Sequence, residues 1–323
     1  MDYNNEECLV KMFTNIKIRG ITVSIIEEIK KLKEEKDVVI LAHYYVDGAI
    51  QDISDYVGDS YYLSKVAVDV KQQTILFCGV EFMGESAKIL NPNKTVLLPE
   101  PFADCPMAHM ANIMEIKRVK QEYEDVAVVC YINSTAELKQ YSDVCVTSAN
   151  AMKIVKALPN KNIYFIPDEN LGRYIATKVP EKNFIFNNGY CHVHKGISEE
   201  DILKAKELHP GAKVLVHPEC RLPICDLGDY VGSTSGIIDY AKNDDCQEFI
   251  IATEMGVFHK LQKDNPNKKF YLVNDKQVCP NMKKITLEKI LTTLQTFDNQ
   301  VEMEESERLQ ALSPLEKMLE LAK

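Results

Sequence analysis

Short apolar runs recur along this chain in three sets of three. The first set is VVILAH (38–43), TILFCG (74–79) and TVLLPE (95–100). The second is VAVVCY (126–131), NIYFIP (162–167) and NFIFNN (183–188); the third is KVLVHP (213–218), EFIIAT (248–253) and KFYLVN (269–274). Runs this short and this continuously apolar predict parallel strands covered on both faces. Between them lie segments that read as helices, among them SYYLSKVAVDVK, FMGESAKIL and SEEDILKAKEL; the last starts like a capping box at Ser198. Upstream, residues 21–36 (ITVSIIEEIKKLKEEK) read as an amphipathic helix, preceded by a loose arm over 1–20. Downstream, VEMEESERLQALSPLEKMLELAK turns from charged to helical, as a helix docking over an apolar edge would.

Strands alternating with helices imply a parallel sheet with right-handed crossovers. The expected fold class is therefore α/β, with three three-layer αβα units, each running β–α–β–α–β before a linking helix. The boundaries are an N-terminal arm and helix (1–36), three repeats (37–120, 121–207 and 208–298) and a C-terminal helix (299–323). A period of about 87 residues is a whole α/β unit, too long for a solenoid repeat. Each copy also carries a matching motif, SDYVGDS (54–60), SDVCVTS (142–148) or GDYVGST (228–234), then a glycine (Gly84, Gly172, Gly256), and closes on Cys105, Cys191 or Cys279. Equivalent units packed about a pseudo-threefold axis bring equivalent positions together, so three thiolates at one central site are expected.

The 323 residues exceed what one core usually supports, and the 46% hydrophobic content is ordinary for a soluble globular protein. No apolar run approaches the roughly 20 residues of a membrane span. The polar, acidic start MDYNNEECLVK lacks a signal-peptide layout, so a cytoplasmic location is expected. There, ten cysteines read as reduced thiols or metal ligands. A net charge of −10 argues against a nucleic-acid partner but leaves room for a small anion bound at helix N-termini.

The chemistry-bearing residues fall at repeated places. The first strand of each copy ends in His43 and Tyr45, Tyr131 and Asn133, or His217 and Glu219. Their i, i+2 spacing would send both side chains of a pair to one side of an extended strand. Ser60, Ser148 and Thr234 stand at the start of the next helix, as caps or as donors to an anion. Together these predict a pocket for carboxylates or phosphate. Cys8, Cys78, Cys130, Cys145, Cys220, Cys225 and Cys246 share no register and read mostly as small buried apolar residues. His109, His192, His209 and His259 lack repeat partners and read as surface or structural. Cys105 and Cys279 precede prolines, a pairing found beside cluster-ligating cysteines.

Three thiolates suit two metals. One is a closed tetrahedral zinc with His194 as fourth ligand, in a small-anion binding protein without catalysis. The other is a [4Fe–4S] cluster with one open iron, a Lewis acid able to help expel water. The tyrosine, glutamate and histidines around the thiolates favour the catalytic reading. An iron–sulfur electron carrier ranks last, because carriers usually supply four cysteines.

The segments LAHYYVDGAIQDISDYVGDS, CGVEFMGESAKIL, DCPM, CYINSTAELK, VTSANA, PDENLGRY, CHVH, VHPEC, VGSTSG and CPNMK, spread over about residues 22–298, closely resemble the quinolinate synthase family. The resemblance implies three pseudo-threefold αβα domains around one [4Fe–4S] cluster held by Cys105, Cys191 and Cys279. It implies condensation of iminoaspartate (iminosuccinate) with dihydroxyacetone phosphate to quinolinate, phosphate and two waters in NAD biosynthesis. An aspartate-oxidising enzyme would supply the iminoaspartate. His43, Ser60, Tyr131, Asn133, Ser148, His217, Glu219 and Thr234 match substrate-holding positions, and Tyr45, His194 and Glu219 match residues of the chemistry. Glu219 is then the expected general base and Tyr45 a proton shuttle across from it. His43 and His217 would clamp anionic groups or donate protons. Some family members carry a further C-x-x-C at the last cluster cysteine; Cys279-Pro-Asn-Met-Lys has none, so a disulfide switch there is not expected.

Overall fold

The structure, a computed structural model, describes residues 19–323, with side chains from residue 24 onward; the expected N-terminal arm falls almost wholly outside the described residues. Three four-stranded parallel sheets form the frame. In chain order the strands are β1 (Val38–His43), β2 (Tyr56–Gly58), β3 (Thr74–Cys78) and β4 (Thr95–Leu97), then β5 (Val126–Tyr131), β6 (Val144–Val146), β7 (Asn162–Ile166) and β8 (Asn183–Phe186). The third set is β9 (Lys213–Val216), β10 (Tyr230–Val231), β11 (Glu248–Ala252) and β12 (Lys269–Leu272). The strand orders are β2-β1-β3-β4, β6-β5-β7-β8 and β10-β9-β11-β12, one topology used three times.

Each sheet has one strand more than the apolar runs announced. The extra edge strands β2, β6 and β10 lie inside the repeated S/G-D motifs and are only two or three residues long, too short to show alternation. The aspartate of each motif explains why it recurs. Asp55, Asp143 and Asp229 each accept the N–H of Ile40, Val128 or Val214 through the side chain, at 2.8, 2.7 and 2.7 Å. Their own N–H groups return to the carbonyls of the same three residues at 2.9, 2.9 and 2.8 Å. The short edge is thus held by a side-chain rung where backbone pairing begins. A second threefold device closes helix ends: Lys94, Lys182 and Lys268 each donate to two carbonyls at the end of, or just past, helices Ser60–Asp69, Ala151–Ala157 and Thr234–Asn243, a position where a cation also complements the helix dipole.

The residues of the inner strands β1, β3, β5, β7, β9 and β11 are almost wholly buried, and helices cover both faces of each sheet. The first two units share one continuous apolar core, to which helices Leu287–Thr296 and Glu305–Leu321 contribute Ile290, Leu294, Ala311, Leu315 and Met318. The third unit has its own core on either side of its sheet. The capping box at Ser198 forms, with Asp201 as its partner. The segment before the last helix also covers the free edge of β4: Leu98 N–H donates to Asn299 O at 3.0 Å and Val301 N–H to Val96 O at 2.8 Å. Leu97 and Gln300 form an antiparallel bridge there.

One repeated feature does not survive. Gly84 and Gly172 occupy equal places in their helices and abut Leu98 and Phe165 side chains. Gly256 sits at the entrance of helix Val257–Asp264, where a Cβ would meet Tyr44 O and Tyr45 Cα of the first unit at 2.7 Å. Its lack of a side chain serves a contact between units and not helix-on-sheet packing.

Candidate active site

The carboxyl ends of the sheets face one cavity, where helix N-termini converge. It is lined by every residue expected at the site: His43, Tyr45, Ser60, Cys105, Tyr131, Asn133, Ser148, Cys191, His194, His217, Glu219, Thr234 and Cys279. The local geometry that brings them there differs from the expected one. β1 ends at His43, β5 at Tyr131 and β9 at Val216, so Tyr45, Asn133 and Glu219 lie in the turns beyond the strands, and strand alternation is not what aims them. A backbone-to-ring bond does so twice. Tyr45 N–H donates to His43 Nδ1 at 3.2 Å, and Glu219 N–H to His217 Nδ1 at 3.3 Å.

That bond also sets the chemistry of both rings. An Nδ1 that accepts leaves Nε2 carrying the proton in the neutral imidazole. Burial pulls the His43 pKa down to about 4, against the pull of Glu219. Burial, with His194 beside it, brings His217 down to about 3. At neutral pH both are therefore neutral Nε2–H donors, not cationic clamps; His217 Nε2 lies 3.3 Å from Ser148 Oγ.

Ser60 and Thr234 are the first residues of helices Ser60–Asp69 and Thr234–Asn243, but the caps are Asp59 and Ser233, which accept Tyr62 N–H at 3.0 Å and Gly236 N–H at 3.1 Å. Ser148 lies in the turn before helix Ala151–Ala157. With capping done by Asp59 and Ser233, the hydroxyls of Ser60 and Thr234 are left to the cavity, which Ser148 also lines. Among the described residues, the cavity lining holds no lysine or arginine. The Asn133 amide oxygen is buried without a hydrogen-bond partner.

Glu219 is buried and charged. Burial opposes its ionisation, but His194, His217 and the Tyr131 hydroxyl outweigh that and hold its carboxyl well below the usual range. From it runs a continuous chain of groups. His194 Nδ1 lies 2.6 Å from Glu219 Oε2, His194 Nε2 lies 2.9 Å from Thr253 Oγ1, and Tyr45 OH lies 2.9 Å from Thr253 Oγ1 and 2.8 Å from Thr234 Oγ1. Burial, and then the charge of Glu219, push the Tyr45 and Tyr131 phenols well above their ordinary range, so both stay protonated.

The three repeated cysteines meet in this cavity. Burial, then the Cys279 thiol, raises Cys105 to about 12; burial, Glu219 and Cys105 raise Cys191 well above the thiol range, and burial raises Cys279. Neutral thiols gathered in one place need a cationic group to become thiolates. Cys191 also groups with His194 and Glu219, whose ligand atoms lie within 4.8 Å of one another, compact enough for a metal ion. Of the other cysteines, Cys78, Cys130, Cys145, Cys220 and Cys225 are buried as expected, Cys246 is partly exposed, and Cys8 lies outside the described residues. His192 departs from expectation in lining the cavity. His109 and His259 are surface residues paired with Asp104 at 2.7 Å and Asp52 at 3.0 Å, and His209 stacks on Tyr271.

Sequence reasoning missed three residues. Thr253 closes the chain between His194 and Tyr45; its counterparts in the other units are Gly79 and Pro167, so symmetry gave no signal. Asp168 and Glu254 share one register place with Val80, and the valine broke the pattern. Both acids are fully buried, and burial raises both. Glu254 accepts the Cys279 N–H at 3.1 Å and the Gly256 N–H at 2.6 Å.

Residues 27–320 match the family described as quinolinate synthetase A protein. A quinolinate synthase of Fusobacterium nucleatum is 55% identical over 92% of this chain and 99% of its own length. One from Clostridioides difficile is 53% identical over 91% of this chain and 97% of its own. The quinolinate synthase 2 of Methanosarcina acetivorans is 46% identical over 92% and 96% respectively. With the repeated cysteines, the strand-end residues and nearly full-length matches in agreement, the chain belongs to the quinolinate synthase family.

Proposed function

We propose that this chain condenses iminoaspartate with dihydroxyacetone phosphate to quinolinate, releasing phosphate and two waters, in the single cavity that its three units share. Quinolinate synthesis for NAD biosynthesis is the activity of the family; the substrates and the assignment of residues to steps are our reading. The observation that carries it is the run of close contacts from Glu219 through His194 and Thr253 to Tyr45, which joins a buried base to a buried phenol.

A [4Fe–4S] cluster fits the donor set, with Cys105, Cys191 and Cys279 as its ligands. His194 Nε2 is hydrogen-bonded to Thr253, and its Nδ1 stands 2.6 Å from Glu219 Oε2, so a closed zinc site of three cysteines and His194 would have to give up one of these contacts. When bound, such a cluster supplies an electrophilic iron that polarises a substrate oxygen and assists the departure of water. The rest is done by the protein. His43 and His217 donate Nε2–H bonds to carboxylate or phosphate oxygens without adding charge. Ser60 and Thr234 present hydroxyls at helix starts, where free N–H groups and the dipole favour anions. Asn133, Ser148 and Tyr131 complete the holding of the substrates. Glu219 accepts a proton during enolisation and ring closure, and the His194–Thr253 bridge passes it toward Tyr45, which delivers it to a leaving hydroxyl. The enzyme that feeds this one must oxidise the amine of aspartate to an imine. No helix among the described residues is long and apolar enough to cross a membrane.

The test is anaerobic purification followed by iron, sulfide and zinc analysis and a quinolinate assay with both substrates. Four irons and four sulfides per chain with quinolinate formed is the expected result. One zinc per chain, no visible absorption and no product would overturn the reading.

A further inference from the structure

The three loops that carry Tyr45, Asn133 and Glu219 are each followed by a short helix: Gly48–Ile53, Ala136–Gln140 and Leu222–Asp226. At one register place in these helices stand Gln51, Lys139 and Cys225. All are buried, none lines the cavity, and the reaction above uses none. Their side chains are chemically unlike, yet they do one thing. Gln51 Nε2 donates to Val46 O at 3.1 Å and Tyr44 O at 2.9 Å. Lys139 Nζ donates to Ser134 O. Cys225 Sγ donates to Cys220 O at 3.5 Å. Val46, Ser134 and Cys220 are themselves equivalent, each being the residue just after Tyr45, Asn133 or Glu219.

We infer that Gln51, Lys139 and Cys225 are positioning residues, buried donors that reach back from the helix to fix the loop carrying each pocket residue. A carbonyl turned inward at a tight loop needs a donor or pays a desolvation penalty, and the loop's own backbone supplies none here. Full burial of Lys139 is otherwise unfavourable, since an ammonium leaves water only at a substantial free-energy cost. An apolar residue would pack there more readily if the site needed volume alone. Gln51 does more than its counterparts. The two hydrogens of its amide nitrogen are shared among three carbonyls, the third being Gly256 O of the third unit at 3.0 Å, where Gly256 meets Tyr44 and Tyr45 without a side chain. Gln51 therefore ties the loop of Tyr45 to the turn just past Thr253, and the Tyr45–Thr253 bond is the joint that the proposed proton path crosses. Displacement of a reacting group by about 1 Å is enough to lower a rate by ~10²-fold.

The inference rests on the proposed reaction for its catalytic consequence, but its structural half can be read separately. Amide exchange is to be followed in the cluster-loaded protein for Gln51→Leu and Gln51→Lys, and for Lys139→Met and Lys139→Gln. In each pair the apolar change removes the donor, and the second change supplies the donor used by another unit. The apolar variants are expected to exchange about tenfold faster at residues 44–47 or 132–135 respectively, the worth of one hydrogen bond, with the rest of the sheet unchanged. The donor variants restore protection, and Gln51→Leu lowers kcat with KM unaffected. Cys225→Ala, a mild change in case the others fail to fold, is expected to raise exchange at Glu219 and Cys220 by a few-fold. Unchanged loop exchange in the apolar variants, or a rise spread evenly over the unit, would overturn the inference. Loop exchange that follows the donor in a protein making no quinolinate would leave the clamp standing and sink the reaction instead.

Discussion

Glu219 is 3% exposed and has no lysine or arginine among the residues that hold it ionised. A buried carboxylate stabilised by imidazoles and a phenol remains available as a base, whereas a tight pair with arginine would lock it. Glu219→Gln keeps the shape and removes the acceptor, so quinolinate formation is expected to fall by about 10²–10⁴-fold while bound iron and sulfide stay at wild-type levels. Thr253 matters only through its hydroxyl, which touches both His194 and Tyr45. Thr253→Ala is expected to lower kcat by at least about tenfold, and Thr253→Ser to retain most of it, as measured in steady-state assays with both substrates saturating. The two neutral histidines leave a mark on stability. Their folded pKa values, about 4 and about 3, lie below the unfolded 6.5, so below pH 6.5 the unfolded chain binds those protons first. Their contribution is complete above pH 6.5 and is lost as pH falls toward 4 and 3. Asp168 and Glu254, raised by burial, act with the opposite sign. The histidine part is therefore isolated by difference: thermal midpoints of a His43→Gln, His217→Asn double variant are expected to fall less steeply than wild type between pH 6.5 and 4.

At the scale of elements, function depends on where strands stop. Strands end at His43 and Tyr131 and one residue short of His217, and the turns beyond them turn Tyr45, Asn133 and Glu219 into the cavity. Apolar runs revealed the strands because burial on both faces demands continuous apolar sequence. They did not reveal β2, β6 and β10, whose pairing is held by Asp55, Asp143 and Asp229 and whose few residues carry no periodicity. Gly256 shows how an element's start can be set by another unit. Gly256→Ala puts a Cβ 2.7 Å from Tyr44 O and Tyr45 Cα, so activity is expected to drop by about 10²-fold with near-normal secondary structure by circular dichroism. The last helix is structural: Leu315 is fully buried in the shared core, and Leu315→Ala is expected to cost about 2–5 kcal/mol in denaturant unfolding.

At the scale of the molecule, three copies of one topology make one asymmetric site. The frame repeats, in the sheet order, the motif aspartates, the helix-closing lysines and the cysteines. The working groups do not: the same place holds His43, Tyr131 or His217, and another holds Tyr45, Asn133 or Glu219. Two unlike anionic substrates would be served by such divergence. A site with no lysine or arginine among the described residues that line it would bind anions through neutral hydroxyls, Nε2–H groups and helix starts, so affinity for a dicarboxylate should depend only weakly on salt. Calorimetry from low to moderate ionic strength checks this, since a site built on lysines and arginines would weaken steeply.

The sequence by itself determined the repeat, the parallel αβα frame, the three cysteines and thirteen of the residues that line the cavity. All of these follow from local rules, burial periodicity and register, that leave a trace in the order of residues. The tertiary structure decided what those residues are chemically. The neutral Nε2–H state of His43 and His217 comes from burial and from backbone N–H groups two residues on. The upward shift of Asp168 comes from burial and the charge of Glu219. The path from Glu219 to Tyr45 runs through Thr253, on a strand end of the third unit and far along the chain from Tyr45 in the first. Protonation and proton paths depend on desolvation and on contacts across units, and neither is encoded by spacing along the chain.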